Sequence, residues 1–473
     1  MSVFIGGVPR TTLSSTELFY SLESSLLLSI VVVSILSTSL SQKAILGPLA
    51  VARLGVTALV VCSLALDQGL GPWPQAMKML VMLGGLALLW IGPTGESPGV
   101  ALLILLVILG NLLLIGSANL ILVYLALELQ TLALFVLVAY NKTSLLSSEA
   151  GLKYFVLGAL SSGLFLFGCA LVYNTTGELE FQFIQGEGDV SPLLSGGLLL
   201  IAVSLLFKLS AAPFHMWAPD VYGGAPTWVV ALLSIVPKLG ILAIIVQIGL
   251  DPRALLIAGL MSLIVGAIGA LNQTRIKRLL AYSGIGHMGF VLLGVAIGSE
   301  ESLQATLLYV GAYIITQVLL WAAILVVDSD ALGEFSGLSR RNPVLAGALA
   351  TGLLSAAGIP PLVGFLTKWC IVVAAVGQGY YLSALTAVIC SVVAGIYYLR
   401  LVKIMYVGPT TTPLILMNAL DEAPYPLGEA TMMSPYIVMG ASLYLVLTII
   451  VCPSLFFQLA YLSVIGLFPG CTC

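Results

Sequence analysis

"LLLIAVSLLFKLSAAPFHMWAPDVYGGAPT", residues 198–227, places Lys208 at the end of an apolar run, with Pro213 and His215 close behind it. In a helix bathed by water such a lysine has no special meaning. Composition rules that setting out: of 473 residues, 60% are hydrophobic and only 8% are charged, whereas soluble domains carry about a quarter charged residues. Too little polar surface remains to cover a globule of this length in water. Apolar runs near the length that crosses a bilayer, about 20 residues, recur from end to end. The chain therefore reads as an all-α polytopic membrane protein, and Lys208 as a lysine in lipid.

The same composition excludes other classes. A net charge of −3 is too small to indicate nucleic acid or an acidic partner. Seven cysteines lie mostly inside apolar runs without CxxC spacing, and only two histidines are present. A disulfide framework, an iron–sulfur site and a metal site are unsupported, as is a nucleotide-binding glycine fingerprint.

Working outward from Lys208, apolar runs separated by Gly, Pro, Asn or charge predict fourteen helices, at 16–40, 44–66, 76–93, 98–116, 118–140, 151–174, 193–222, 226–250, 254–272, 279–298, 303–327, 343–376, 380–406 and 434–460. The seventh and twelfth are too long and are interrupted, by Pro213 and Pro219 in one and by Gly358-Ile-Pro-Pro361 in the other. Proline removes a backbone donor, so each interruption frees carbonyls that lipid cannot satisfy. Such breaks persist only where they are buried in protein or line a wet cavity. "LSAA" precedes both, at 209–212 and 354–357. Matched breaks in two halves point to a repeat-built transporter.

Basic residues between the runs set the orientation. Lys43, Lys142, Arg275, Lys277, Arg278, Arg340, Arg341, Arg400 and Lys403 fall on one side, against Arg10, Lys78 and Arg253 on the other. The positive-inside rule puts the first group in the matrix or cytoplasm and the N-terminus opposite. The acidic segment 174–191 alternates briefly, as a short hairpin does.

Away from the loops, Glu128, Lys208, Lys238 and Lys368 stay in the membrane, with His215 and His287 beside them. Each ionised group at a helix centre costs about 3 kcal/mol on insertion scales. Glu128 has apolar neighbours for more than two turns on either side, and Lys238 directly follows Pro237. Lys368 lies two turns beyond the twelfth-helix break. One glutamate can pair with one lysine as helix glue, but two lysines are then left without an intramembrane carboxylate. A buried lysine without a partner gives up its proton readily, because desolvation disfavours the charged form. The set reads as a proton relay. His287, two turns into its helix, is placed to bridge two lysines, and His215 either joins the relay or caps carbonyls freed by the break.

These residues sit in "ALELQ" (126–130), "SSEAGLKYFVLGALSSG" (147–163), "FKLSAAPFHMWAPDVYGGAPT" (207–227), "SIVPKLG" (234–240), "QTRIKRLLAYSGIGHMGF" (273–290), "GIPPLVGFLTKW" (358–369) and "YYLRLVKIMY" (397–406). From about 124 to 406 the chain thereby resembles the subunit 2 family of respiratory complex I, the proton-translocating NADH:ubiquinone oxidoreductase. The resemblance implies two inverted five-helix repeats at 98–250 and 251–408, after three N-terminal helices in 1–97 and before a loop and fourteenth helix in 409–473. It implies that Glu128 and Lys208 are the pair of the first half-channel, Lys238 the central-axis lysine, and Lys368 the lysine of the second. It also implies that NADH, FMN, iron–sulfur clusters and ubiquinone belong to partner subunits, with no cofactor on this chain. Partners are then the other membrane-arm subunits, including sister antiporter-like subunits, together with lipids. The implied location is the mitochondrial inner membrane, or a bacterial plasma membrane. The alternatives are a subunit of a multi-subunit cation/proton antiporter and a structural spacer with a relic channel.

Overall fold

A computed structural model describes residues 72–92, 98–182, 192–408 and 429–467. The first two predicted helices, Arg10, Lys43 and most of the 409–433 loop lie outside these residues. The described part is built from helices: α1 (Pro72–Ile91), α2 (Pro98–Gly116), α3 (Leu120–Val138), α4 (Leu145–Thr176), α5 (Pro192–Lys208), α6 (Trp217–Gly224), α7 (Thr227–Ile248), α8 (Pro252–Ala270), α9 (Ile276–Ile297) and α10 (Glu300–Val327). After a short 3₁₀ turn come α11 (Leu338–Arg341), α12 (Pro343–Ala357), α13 (Val363–Gly377), α14 (Tyr381–Val407), α15 (Glu429–Val451) and α16 (Pro453–Val464).

Ten of these helices are long and apolar enough to cross a membrane. The seventh predicted helix is the interrupted pair α5 and α6, and the twelfth is the pair α12 and α13. The breaks fall at Pro213 and at Pro360-Pro361 as predicted, whereas Pro219 lies in the first turn of α6, where a proline's missing donor costs nothing. The third to fourteenth predicted helices are therefore all present among the described residues.

α7 is the hub: its whole spanning window is buried, and it packs against α1, α2 and α10. α4 and α14 lie at the periphery, where most of their apolar side chains face outward, as lipid or a neighbouring chain requires. Close helix contact depends on small residues. A Cβ on Gly168 of α4 would stand 2.8 Å from the Gly197 carbonyl oxygen of α5, and one on Gly197 would stand 3.0 Å from that of Gly168. Only glycine at both positions lets the two backbones meet.

Four expectations are corrected. The fourteenth helix is not continuous to 460: Cys452, held extended at φ −126° and ψ 69° before Pro453, separates α15 from α16. Lys78 is no loop charge, since it lies in α1 with 2% of its surface exposed; with Lys277, buried in α9, also set aside, the charge count is eight against two. Lys277 is also buried, bonded to Asp330 at 3.0 Å and to the Ala225 carbonyl at 3.3 Å. Within the described part of 174–191, α4 runs on to Thr176 and Glu180 pairs with Asn119 in a single antiparallel bridge, so the extended piece pairs with the α2–α3 loop. The rest of that predicted hairpin lies outside the described residues.

Candidate functional site

The first break brings Glu128 and Lys208 together. Lys208 ends α5, where the last carbonyls of the half-helix favour a cation. Its Nζ lies 3.8 Å from Oε1 of Glu128 on α3, and its side chain is 6% exposed against 23% for the glutamate. The same Oε1 accepts a hydrogen bond from Ser162 of α4. Next to it, Ser161 shares a 3.2 Å hydrogen bond with Ser204, one turn before Lys208. Trp217 donates its indole N–H to the Phe207 carbonyl at 2.9 Å, and Ser262 accepts from the Ala212 amide at 2.8 Å. The backbone amides of Leu209, Ser210 and Ala211 take the last carbonyls of α5, Trp217 is a second donor to that of Phe207, and His215 sits half-buried inside the break.

Lys238 is in the interior of α7, 4% exposed, in the turn loosened by Pro237. It forms no salt bridge among the described residues. Its ammonium lies 5.9 Å from the centre of the Tyr313 ring and against the backbone of Gly284, where an added Cβ would come within 3.2 Å. Tyr313, on α10, donates to the Ser234 carbonyl at 3.0 Å, in the same loosened turn.

His287 is one turn beyond Gly284 on α9 and is buried. Its two ring nitrogens lie 2.6 Å from the Tyr309 hydroxyl and 3.3 Å from the Tyr398 hydroxyl. Tyr398 is hydrogen-bonded in turn to Ser283. The histidine therefore stands between the lysines without bonding directly to either. On one side its ring is 5.4 Å from that of Tyr313, which faces Lys238. On the other, two small cavities of about 20 and 10 Å³ are each lined by both His287 and Lys368. Each volume is on the scale of a single water.

Lys368, on α13, reaches back over the second break and donates to the carbonyls of Ala356 and Ala357, each at 2.9 Å. These are the last carbonyls of α12, left without intrahelical partners. Gly358, at φ 82°, makes the turn, and a Cβ there would meet the Lys368 side chain at 2.8 Å. The ammonium also lies 5.4 Å from the centre of the Phe290 ring.

The structure thus gathers Glu128 with Lys208, and strings Lys238, His287 and Lys368 through aromatic and cavity neighbours. Sequence reasoning missed the hydroxyls: Ser162, Ser283, Tyr309, Tyr313 and Tyr398. Tyr309 and Tyr313 are four apart in a helix and so share a face, which was the available signal.

An all-helical membrane fold with two broken helices, a lysine at each break and a third lysine on the central helix defines the class of antiporter-like transmembrane subunits. Residues 117–394 match the family described as NADH:quinone oxidoreductase/Mrp antiporter, and residues 22–114 match NADH dehydrogenase subunit 2 N-terminal. The chain is 50% identical to NADH-ubiquinone oxidoreductase chain 2 of Metridium senile, over 80% of this chain and 99% of that one. It is 39% identical to NADH-quinone oxidoreductase subunit N of Rhodospirillum rubrum, over 78% and 81% of the two chains. Among solved structures, a chain of respiratory complex I from Thermus thermophilus superposes with a TM-score of 0.80 at 30% identity, over 93% of this chain and all of that one. A chain of the Mrp complex from Dietzia shares the fold, with a TM-score of 0.84 at 18% identity over 96% and 98%. The chain belongs to the NADH dehydrogenase subunit 2 family, the antiporter-like membrane subunits of proton-translocating NADH:quinone oxidoreductase.

Proposed function

We propose that this subunit carries protons through the membrane arm along Glu128, Lys208, Lys238, His287 and Lys368. The observation that carries the reading is the placement of these ionisable groups: Glu128, Lys238 and His287 lie in spanning helices, Lys208 and Lys368 in the half-helices of the two breaks, and all except Glu128 are almost fully enclosed. Their sites are two helix breaks and one proline-loosened turn, where irregular backbone survives only against protein or water. An ionisable group kept there at such cost is a functional group by default.

Each lysine has a different way of holding its charge. Glu128 favours the ammonium of Lys208, so any movement that lengthens their 3.8 Å separation favours proton release. Lys238 has the Tyr313 ring face in place of a carboxylate, and Lys368 has two backbone carbonyls. Between Lys238 and Lys368, the tyrosine hydroxyls around His287 and single waters in the two cavities are placed to bridge the gaps. Moving one charge against 100 mV costs about 2.3 kcal/mol, so the driving movement comes from partner subunits. Those subunits also supply NADH, FMN, iron–sulfur and ubiquinone chemistry. We place the chain in the mitochondrial inner membrane with its N-terminus on the intermembrane-space side. That placement is favoured by the ubiquinone-named relatives from Metridium senile and Marchantia polymorpha and by the eight-to-two charge bias.

The test is Lys208→Ala in the assembled complex, in sealed vesicles, with proton pumping and NADH oxidation followed together. Pumping and coupled oxidation are expected to fall together by tenfold or more, the scale of about 1.4 kcal/mol or above. Unchanged rates in a fully assembled complex sink the relay.

A further inference from the structure

Glu128 and Lys208 are an ion pair at the outer edge of ion-pair distance. A charge-assisted N–H···O bond runs at about 2.7–2.9 Å, yet Nζ and Oε1 are 3.8 Å apart. The close partner of that oxygen is instead the hydroxyl of Ser162. Serines and threonines in apolar helices commonly bond back to their own helix, as Thr316 does to Ala312 and Ser442 to Val438 here. Ser162, 8% exposed, reaches across from α4 to the carboxylate on α3. Its neighbour Ser161 reaches across to Ser204 on α5. The two serines tie α4 to the helix of Glu128 and to the helix of Lys208. The Gly168–Gly197 contact holds α4 and α5 together further along.

We propose that Ser162 is a positioning residue: it holds the Glu128 carboxylate short of full contact with Lys208, and the pair closes only when Oε1 leaves the serine for the ammonium. The inference rests on the proton path above and adds to it the second partner of Glu128. Exchange between a neutral hydroxyl and a cation keeps the carboxylate bonded in both arrangements. Neither arrangement then leaves a buried carboxylate oxygen without a donor. Besides Lys208 of α5, the titratable groups near Glu128 are Tyr124 on its own helix and Tyr154 on α4. Of the other helices packed on α3, α2 has no titratable residue and α7 has only Lys238.

Removing the hydroxyl leaves Lys208 as the one near side-chain donor for Oε1 among the described residues. The pair then closes, the charged lysine is favoured, and its proton leaves only at lower proton activity. Ser162→Ala, Ser162→Thr and Lys208→Ala are to be placed separately in the complex in sealed vesicles, with pumping and oxidation measured across pH. Ser162→Ala is expected to lower pumping at neutral pH about fivefold and to move the pH profile up by about one unit, the scale of one hydrogen bond to a charged group. Ser162→Thr, which keeps the hydroxyl, restores both. A Ser162→Ala profile that overlays the unmodified one, while Lys208→Ala abolishes pumping, overturns the serine's role and leaves the proton path standing. No effect of Lys208→Ala removes the path and the serine's role with it. Should Ser162→Ala not assemble, Ser162→Cys takes its place, its thiol being only a weak donor. The same alkaline displacement supports the proposal, an unmoved profile overturns it, and failure of both variants to assemble overturns it by making the hydroxyl a structural tie.

Discussion

The two helix breaks solve one problem in two ways. Each exposes the carbonyl end of a half-helix inside the membrane, and each puts a lysine beside it. At the first break the work is divided: Trp217 takes the Phe207 carbonyl and Lys208 faces Glu128. At the second break Lys368 does both, donating to Ala356 and Ala357 and supplying the charge. Backbone carbonyls cannot titrate, so the second lysine has constant partners. A carboxylate that shares its oxygen with a serine can shift, so the first lysine has adjustable ones. On the proposed relay, this difference would put control at the first break and a steady receiving role at the second.

Substitution of the second lysine has the largest expected effect. Lys368→Met removes the charge and also strands two buried carbonyls, each costing about 1–3 kcal/mol when left without a donor. Pumping should fall by tenfold or more, and the yield of assembled complex, read from membrane extracts, should fall as well. Lys208→Met should lose pumping to a similar degree with yield nearly intact, because Trp217 still caps its break. Equal yields for the two variants would break the comparison.

Trp217→Phe gives an intermediate effect that isolates the structural half of the first break. The ring is kept and the N–H is lost, so the Phe207 carbonyl is left without that donor. The Ser210 amide still donates to that carbonyl, so thermal stability of the complex should drop by only about 0.5–1.5 kcal/mol, read as a lower midpoint of heat-induced disassembly. The ratio of protons moved to NADH oxidised should stay unchanged. A changed ratio would mean that the cap and the charge are not separate functions.

Much of this was legible in the sequence because lipid penalises what water forgives. Pro213 and Pro360-Pro361 announced the breaks, and Glu128, Lys208, Lys238 and Lys368 stood out against apolar runs. The hydroxyls did not stand out. Ser162, which crosses to Glu128, and Ser442, which bonds to its own helix, look alike in sequence, since serine is tolerated in an apolar helix either way. Lys78 stands at the third position of the helix predicted at 76–93 and so reads as a flanking charge, yet the helix begins at Pro72 and encloses the lysine. The fourteenth helix reads as continuous because its apolar run passes across Pro453 to 460, yet the donor that proline lacks ends α15 and lets α16 start afresh.

The smallest expected effect lies at the inner end of the first break and has no counterpart at the second. Asp220, on α6 just past the break, bonds Lys153 of α4 at 3.1 Å and Arg278 of α9 at 3.2 Å. Lys153 is also held by Glu149 at 2.7 Å. These side chains are 40–59% exposed, so water screens them and the pairs hold the half-helix only loosely. Asp220→Asn should lower thermal stability slightly at low salt and not at all near 1 M salt, where the Debye length is about 3 Å. Pumping at moderate ionic strength should be unchanged. A pumping defect that persists at high salt would show that the adjustable break is held from its surface as well as from Glu128, and control could no longer be assigned to the carboxylate alone.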